Sequence, residues 1–225
     1  VESRLIRVQQ NLSYEEADRL IEKEQDFWGL LNKFCLRSQE QRLEKGALNL
    51  ARKEFDFDIS DPQHIRITPL NRNSDANRII EELAISVNRE TVRLFQEADF
   101  PGIYLTQSSY EIIKEVEEGT QLSMEHLRIE PARLSTIPGS HAGLGCEVYM
   151  QITSPIRRFV DLITQQQLKL LIEKKDPVFS IEDMMRWSEE ISLRHKKYSR
   201  AERDILKYWK LKYLQQHLGE IIIYS

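Results

Sequence analysis

The chain has 225 residues, 40% of them hydrophobic, with 32 Lys and Arg against 36 Asp and Glu and a formal net charge of −4. With 8 Gly, 7 Pro and 2 Cys it is neither collagen-like, nor low in complexity, nor a disulfide scaffold, and it is long enough to bury a sizeable core. No apolar run approaches the ~18 residues that a bilayer span requires, so no membrane partner is expected.

Ser13-Tyr14-Glu15-Glu16 is a capping-box pattern, and Ala17, Leu20, Ile21, Phe27, Trp28, Leu31 and Cys35 then recur at helical spacing. This predicts a helix over 13–45 with an interruption near Gly29. Leu48 and Leu50, then Phe55, Phe57 and Ile59, alternate at period two; Asp61-Pro62 supplies a turn before Ile65 and Ile67, which predicts a hairpin. From Asp75 the positions Ile79, Leu83, Val87, Val92 and Phe95 mark a long helix ending before Pro101-Gly102. A short extended run follows at 103–106, and Ser108-Ser109-Tyr110-Glu111 is read as the cap of a helix reaching Glu118. Helices are further expected over 155–174, 181–197 and 200–217. Helix dominates with a few antiparallel strands, so the class is α+β.

Charge is segregated along the chain: residues 1–150 carry a net −8 and residues 151–225 a net +4. Arg194, Lys196, Lys197, Arg200, Arg203, Lys207, Lys210 and Lys212 face only Glu202 and Asp204. Such a run is either a solvated helix face or a patch for a polyanion, which responds to local potential rather than net charge. Cys35 and Cys146 lie far apart with no C-x-x-C pair, which suits a thiol-reducing, cytoplasmic setting or an organellar stroma.

The most informative segment runs from Gly139-Ser140-His141-Ala142-Gly143-Leu144-Gly145 to Thr153-Ser154-Pro155-Ile156-Arg157-Arg158-Phe159-Val160-Asp161. A residue before proline is pushed out of the helical region and proline fits the first helical position, so Ser154 is expected to cap a helix starting at Pro155. The helix N-terminus, the hydroxyls of Thr153 and Ser154 and the guanidinium groups of Arg157 and Arg158 would then converge on one anion, suitably a phosphate. The plain alternative is an ordinary Ser-Pro helix start whose arginines pair with carboxylates such as Asp161.

This segment resembles the signature of the RNB family, the ribonuclease II and ribonuclease R exoribonucleases, which reads approximately H-F-G-L-G, then Y, then T-S-P-I-R. Thr153 to Arg158, Phe159 and Asp161 fit it, as do His141, Gly143 to Gly145 and Tyr149 upstream. The departures, Ala142 for an aromatic and Gln165 near a common histidine, suggest a divergent branch. Asn11-Leu12-Ser13-Tyr14, Arg78-Ile79-Ile80-Glu81-Glu82 and Ala201-Glu202-Arg203-Asp204 resemble three further family helices in the same order.

The resemblance implies hydrolysis of single-stranded RNA from its 3′ end to nucleoside 5′-monophosphates, with Mg²⁺ held by aspartates. Arg157 would bind the scissile phosphate and Arg158 would serve structure. Tyr14 would lie by the 3′-terminal nucleotide, Glu82 (with Glu81 as competitor) would contact that nucleotide, the other glutamate would pair with Arg78, and Glu202 would stand near the active centre. Leu50 would replace a base-stacking aromatic. The family's metal-binding D-x-D-D-A-like segment is not found here, so this chain is expected to supply no metal ligand and to be inactive alone. Both ends read as cut: residues 1–218 are expected to be the C-terminal portion of the RNB catalytic domain and 219–225 the first strand of an oligonucleotide-binding barrel. The alternatives are a non-catalytic RNA-binding relative and a helical protein-interaction module.

Overall fold

The capping box at Ser13 forms as its residue types require. In a computed structural model of the chain, the Ser13 N–H donates to Glu16 Oε2 at 2.7 Å while the Glu16 N–H donates to Ser13 Oγ at 3.2 Å, so two otherwise orphaned amide donors are satisfied. The structure describes all residues except 1–6, 24–25, 51–53, 71, 115–121, 123–125 and 220–225. The expected barrel strand at 219–225 therefore lies, apart from Gly219, outside the described residues.

The described residues form five α-helices, α1 (Tyr14–Glu22), α2 (Asp26–Glu44), α3 (Asp75–Glu97), α4 (Phe159–Ile172) and α5 (Ile181–Gln216). Six strands, β1 (Glu54–Asp58), β2 (Arg66–Leu70), β3 (Tyr104–Thr106), β4 (Tyr110–Ile112), β5 (Leu127–Ile129) and β6 (Arg133–Ser135), pair into three antiparallel ribbons, β1 with β2, β3 with β6 and β4 with β5. The α+β class is as expected.

The chain divides into two compact units. The first comprises 1–51 and 73–192. Here Ile21, Cys35, Ala76 and Ile79 join α1, α2 and α3 into one apolar cluster, with Ala17, Trp28 and Leu31 packed against it. Val92 and Phe95 of α3 meet Tyr104 and Met150, and Val160, Ile163 and Met184 bury Ile103 between α4 and the start of α5. The second unit comprises 52–72 and 193–225. Its hairpin pairs Phe57 with Ile67, and Gln216 of α5 accepts the Ile65 N–H at 3.0 Å and donates to the Pro62 carbonyl at 2.9 Å.

Four expectations are corrected. The break in the first helix falls after α1, at Lys23, whereas Gly29 is buried inside α2; Ile21 and Cys35 reach the same side of α3 only if the chain turns between them. Leu48 and Leu50 belong to no strand, and the Leu48 N–H donates to the Gly143 carbonyl. Residues 110–112 are strand rather than helix: the Ser108 hydroxyl bonds Glu130 instead of capping, and β5 offers Tyr110 to Ile112 a ladder. Finally, 181–197 and 200–217 are one helix of 36 residues, because neither Tyr198 nor Ser199 breaks it.

Candidate functional site

The 153–158 segment does not begin the helix. Residues 155–157 form a turn in which the Ser154 carbonyl accepts the N–H groups of Arg157 and Arg158 at 3.2 and 3.0 Å, and α4 starts only at Phe159 with Arg158 as an extended N-cap at φ −124°. The reason is Asp161, which is 0% exposed. Its Oδ1 accepts the Ser154 N–H at 2.8 Å and the Arg158 Nη2 at 2.7 Å, pulling the segment back over the first turn of α4. Ser154 therefore supplies a backbone donor to Asp161, not a side-chain cap.

Consequently the two arginines diverge. Arg158 turns inward to Asp161, with Thr153 Oγ1 3.5 Å away, while Arg157 is exposed and forms no ion pair with a described residue. Thr153 is exposed and Ser154 half-buried on the same loop. The expected convergence of both guanidinium groups on one anion is thus corrected: one grips the fold, and the other is free to face a ligand. Asp161→Asn keeps the steric fit but weakens a charge-assisted contact to Arg158. It is expected to cost about 1–3 kcal/mol, measured as a shift in denaturant midpoint.

The segment before this loop is held from α3 and α4. Asn88 of α3 donates to the Tyr149 hydroxyl at 2.6 Å and accepts the Ile152 N–H at 3.1 Å. Gln165, where the resemblance would put a histidine, donates to the Ile152 carbonyl at 3.0 Å. Three side-chain bonds therefore fix the strand-like run that delivers Thr153. Upstream, His141 is buried and stands edge-on to Tyr149, with ring centroids 5.7 Å apart. Burial holds its imidazole below the ordinary value of 6.5, against the opposing effect of a backbone hydrogen bond. The unfolded chain then takes up a proton here at a pH where the folded protein does not. Stability is expected to fall as the pH drops below about 6.5, by at most about 1.4 kcal/mol per pH unit from this group. His141→Gln should flatten that fall in thermal denaturation between pH 7 and pH 5.

Glu82 is the clearest departure from the sequence-based expectation. Its carboxylate is 0% exposed. Oε2 accepts from Arg42 Nε at 3.1 Å and from the Ser38 hydroxyl at 3.0 Å, and Oε1 is paired with Arg42 Nη2. Both oxygens are engaged inside the fold, and the carboxylate has no exposed edge in this structure. Glu81 is exposed. Arg78 pairs with Asp75 and Asn32 rather than with either glutamate. Arg42, which the sequence reading did not single out, also donates Nη1 to the Leu144 carbonyl at 3.0 Å. Burial works against its charge, but the hydrogen bond and charge of Glu82 outweigh this and keep the guanidinium above its ordinary range. Gly145 completes the brace: at φ +62° a Cβ would meet the Arg42 carbonyl at 2.5 Å.

The remaining predicted residues lie on different elements. Tyr14 opens α1 in the first unit and is 44% exposed, and Leu50 is half-buried in the same unit. Glu202 lies on the exposed surface of α5 in the second unit. A cavity of about 350 Å³, lined by Thr106, Ser108, Glu130, Arg133 and Ser140 among others, contains none of these residues. Among the described residues no group of three His, Cys, Asp or Glu side chains suits a metal ion. Asp58 is engaged by Ser60 and Arg66, which hold its carboxyl down at about 2. No helix among the described residues is long and apolar enough to cross a membrane.

Fold and loop together define an α+β architecture that holds out, on a braced turn, an arginine with no ion-pair partner among the described residues. The chain belongs to the RNB domain family, whose model matches residues 1–126 and 109–174. It is similar to an uncharacterized ribonuclease of Synechocystis sp., 26% identical over 220 residues that cover 93% of this chain and 33% of that protein. It is also similar to ribonuclease R of Helicobacter pylori, 28% identical over 249 residues that cover 90% and 38% of the two chains. The solved structure of Mycoplasma genitalium RNase R in complex with ribose-methylated single-stranded RNA matches with a TM-score of 0.72 at 16% identity, over 92% of this chain and 40% of that one, a likeness of fold. The chain spans about a third of the length of the curated relatives it matches.

Proposed function

We propose that this chain is the phosphate-gripping part of a longer 3′-to-5′ exoribonuclease that hydrolyses single-stranded RNA to nucleoside 5′-monophosphates. The observation that carries the reading is the 153–158 turn. Asp161 anchors Ser154 and Arg158 from below, and Arg157 is left exposed with no ion-pair partner among the described residues. Membership of the RNB domain family and the RNA held by the Mycoplasma relative support RNA as the partner.

Phosphodiester hydrolysis builds negative charge on the non-bridging oxygens, and a preplaced guanidinium offsets it without reorganising at the moment of reaction. Arg157 takes that role in the proposal. Its planar fork matches two phosphate oxygens, which lysine cannot do. The exposed Thr153 hydroxyl stands on the same loop as a further donor, and the Tyr14 ring is assigned to the terminal nucleotide, where a base or ribose can pack against it. Arg158 acts through the fold by its bond to Asp161. Glu202 is kept as a residue at the strand's path, on its exposed position in α5.

The described residues do not fit a metal centre. Because the sequence lacks the family's D-x-D-D-A-like segment, we assign Mg²⁺ mainly to residues upstream of this chain and the reaction to the longer protein, acting in the cytoplasm. The test uses RNA labelled at either end. The whole enzyme is expected to release labelled mononucleotide at once from a 3′-labelled strand and only at the end of digestion from a 5′-labelled one, while the 225 residues alone release none. Internal cleavage products would refute the exonuclease reading, and mononucleotide release by the isolated chain would refute the assignment of the metal.

A further inference from the structure

We infer that α5 carries a second contact for the RNA strand, a ladder of five cations that follows the phosphate backbone and shares no residue with the 153–158 loop. The inference rests on RNA being the partner, as proposed above, and adds a surface which that reading does not use. Lys196, Arg200, Arg203, Lys207 and Lys210 recur at alternating steps of four and three residues. At 3.6 residues per turn they fall within an arc of roughly 80° on one side of the helix, one per turn, over about 21 Å of its length.

Each of the five is exposed, and none forms an ion pair with a described residue. An ordinary solvated helix face intersperses carboxylates at i±4 positions, because like charges at that spacing weaken a helix. Here the arc holds no carboxylate. Asp204 lies at its edge without pairing to it, and Glu202 is on the other side of the helix. The hairpin does not occupy this arc. Trp209, Tyr213 and Gln216, which are half-buried, lie roughly opposite to it, and Gln216 makes the bonds to Ile65 and Pro62.

A one-sided row of unneutralised cations at a repeat of about 5.4 Å is the complement of a flexible polyanion, whose successive phosphates long Lys and Arg side chains can follow. Four of the rungs are flanked by exposed apolar side chains, among them Leu193, Leu206 and Leu211, which offer unstacked bases a surface but no hydrogen-bond readout. The ladder therefore recognises the backbone of a single strand independently of base sequence.

The test measures binding of the whole enzyme to a single-stranded homopolymeric RNA across a salt series, with Lys196, Arg200, Arg203, Lys207 and Lys210 all changed to Gln. Each phosphate contact contributes about 0.7 to the slope of log K against log salt on a single strand. The fivefold variant is therefore expected to lose about 3.5 units of slope, and the pair Arg200→Gln/Arg203→Gln about 1.4. Arg200→Lys/Arg203→Lys, which keeps the charge, is expected to retain the wild-type slope. An unchanged slope in the fivefold variant or the pair, at unchanged helix content by circular dichroism, overturns the inference. End-labelled digestion separates this failure from that of the exonuclease reading. An unchanged slope with intact 3′-terminal release sinks only the ladder, and a reduced slope with internal cleavage upholds the ladder and sinks only the direction of attack.

Discussion

Replacing Arg42 by alanine is expected to destabilise the fold by about 3–5 kcal/mol, a substantial part of the 5–15 kcal/mol that holds a typical domain together. The penalty comes less from losing an attraction than from what remains: the Glu82 carboxylate, 0% exposed, would keep only the Ser38 hydroxyl as partner. The Leu144 carbonyl would also lose its donor. The tie between α2, α3 and the Gly143 to Gly145 turn would then slacken. Denaturant unfolding followed by the fluorescence of Trp28, which packs on the α1–α2–α3 cluster, measures the loss. A double replacement, Arg42→Met with Glu82→Leu, removes both charges together and is expected to be close to neutral. If the single and double variants were equally destabilised, the buried pair would not be the cause. The same geometry predicts that Glu82→Gln leaves affinity for the terminal nucleotide unchanged in protein that remains folded.

The second large effect concerns activity rather than stability. Arg157→Ala in the whole enzyme is expected to lower kcat about 10²–10³-fold, the range found when one donor to developing charge is removed. Stability should stay within about 0.5 kcal/mol, since an exposed side chain without an ion pair leaves nothing unsatisfied behind. Arg157→Lys should recover part of the loss, because it restores charge but not the fork. Single-turnover kinetics at saturating RNA, beside equilibrium binding, separates the chemical step from affinity. A drop in affinity alone would make Arg157 a docking residue. The contrast with Arg158 is a direct consequence of Asp161: of two adjacent arginines only one faces a buried carboxylate.

Much of the architecture was legible because it rests on local rules. The capping box at Ser13, the hairpin alternation around Phe57 and Ile67, and the long helix after Ser74 are each set by neighbours within a few residues. The helix assigned to 110–118 was not, since an S-x-x-E pattern suits a cap equally well wherever it occurs. What makes 110–112 a strand is β5, some fifteen residues later, while 115–118 lie outside the described residues. The separate helices expected over 181–197 and 200–217 are one continuous α5, since nothing at Tyr198-Ser199 removes an amide or forces an unusual φ. Arg42 left no local trace. One signal was available: Glu82 falls in phase with Ile79, Ile85 and Asn88 on α3, so a carboxylate was due to be buried and in need of a cation.

Residue order alone fixes the caps, the alternating hairpin, the phase of each helix's apolar face and the cationic row along 196–210, because all of these depend on separations of a few residues along the backbone. Which cation neutralises Glu82, where α4 starts, and which of two adjacent arginines remains free were settled by groups remote in sequence or sealed in the core. Burying a charge is costly enough that its partner is chosen by whatever the packed helices bring within reach, and no spacing rule along the chain encodes that choice.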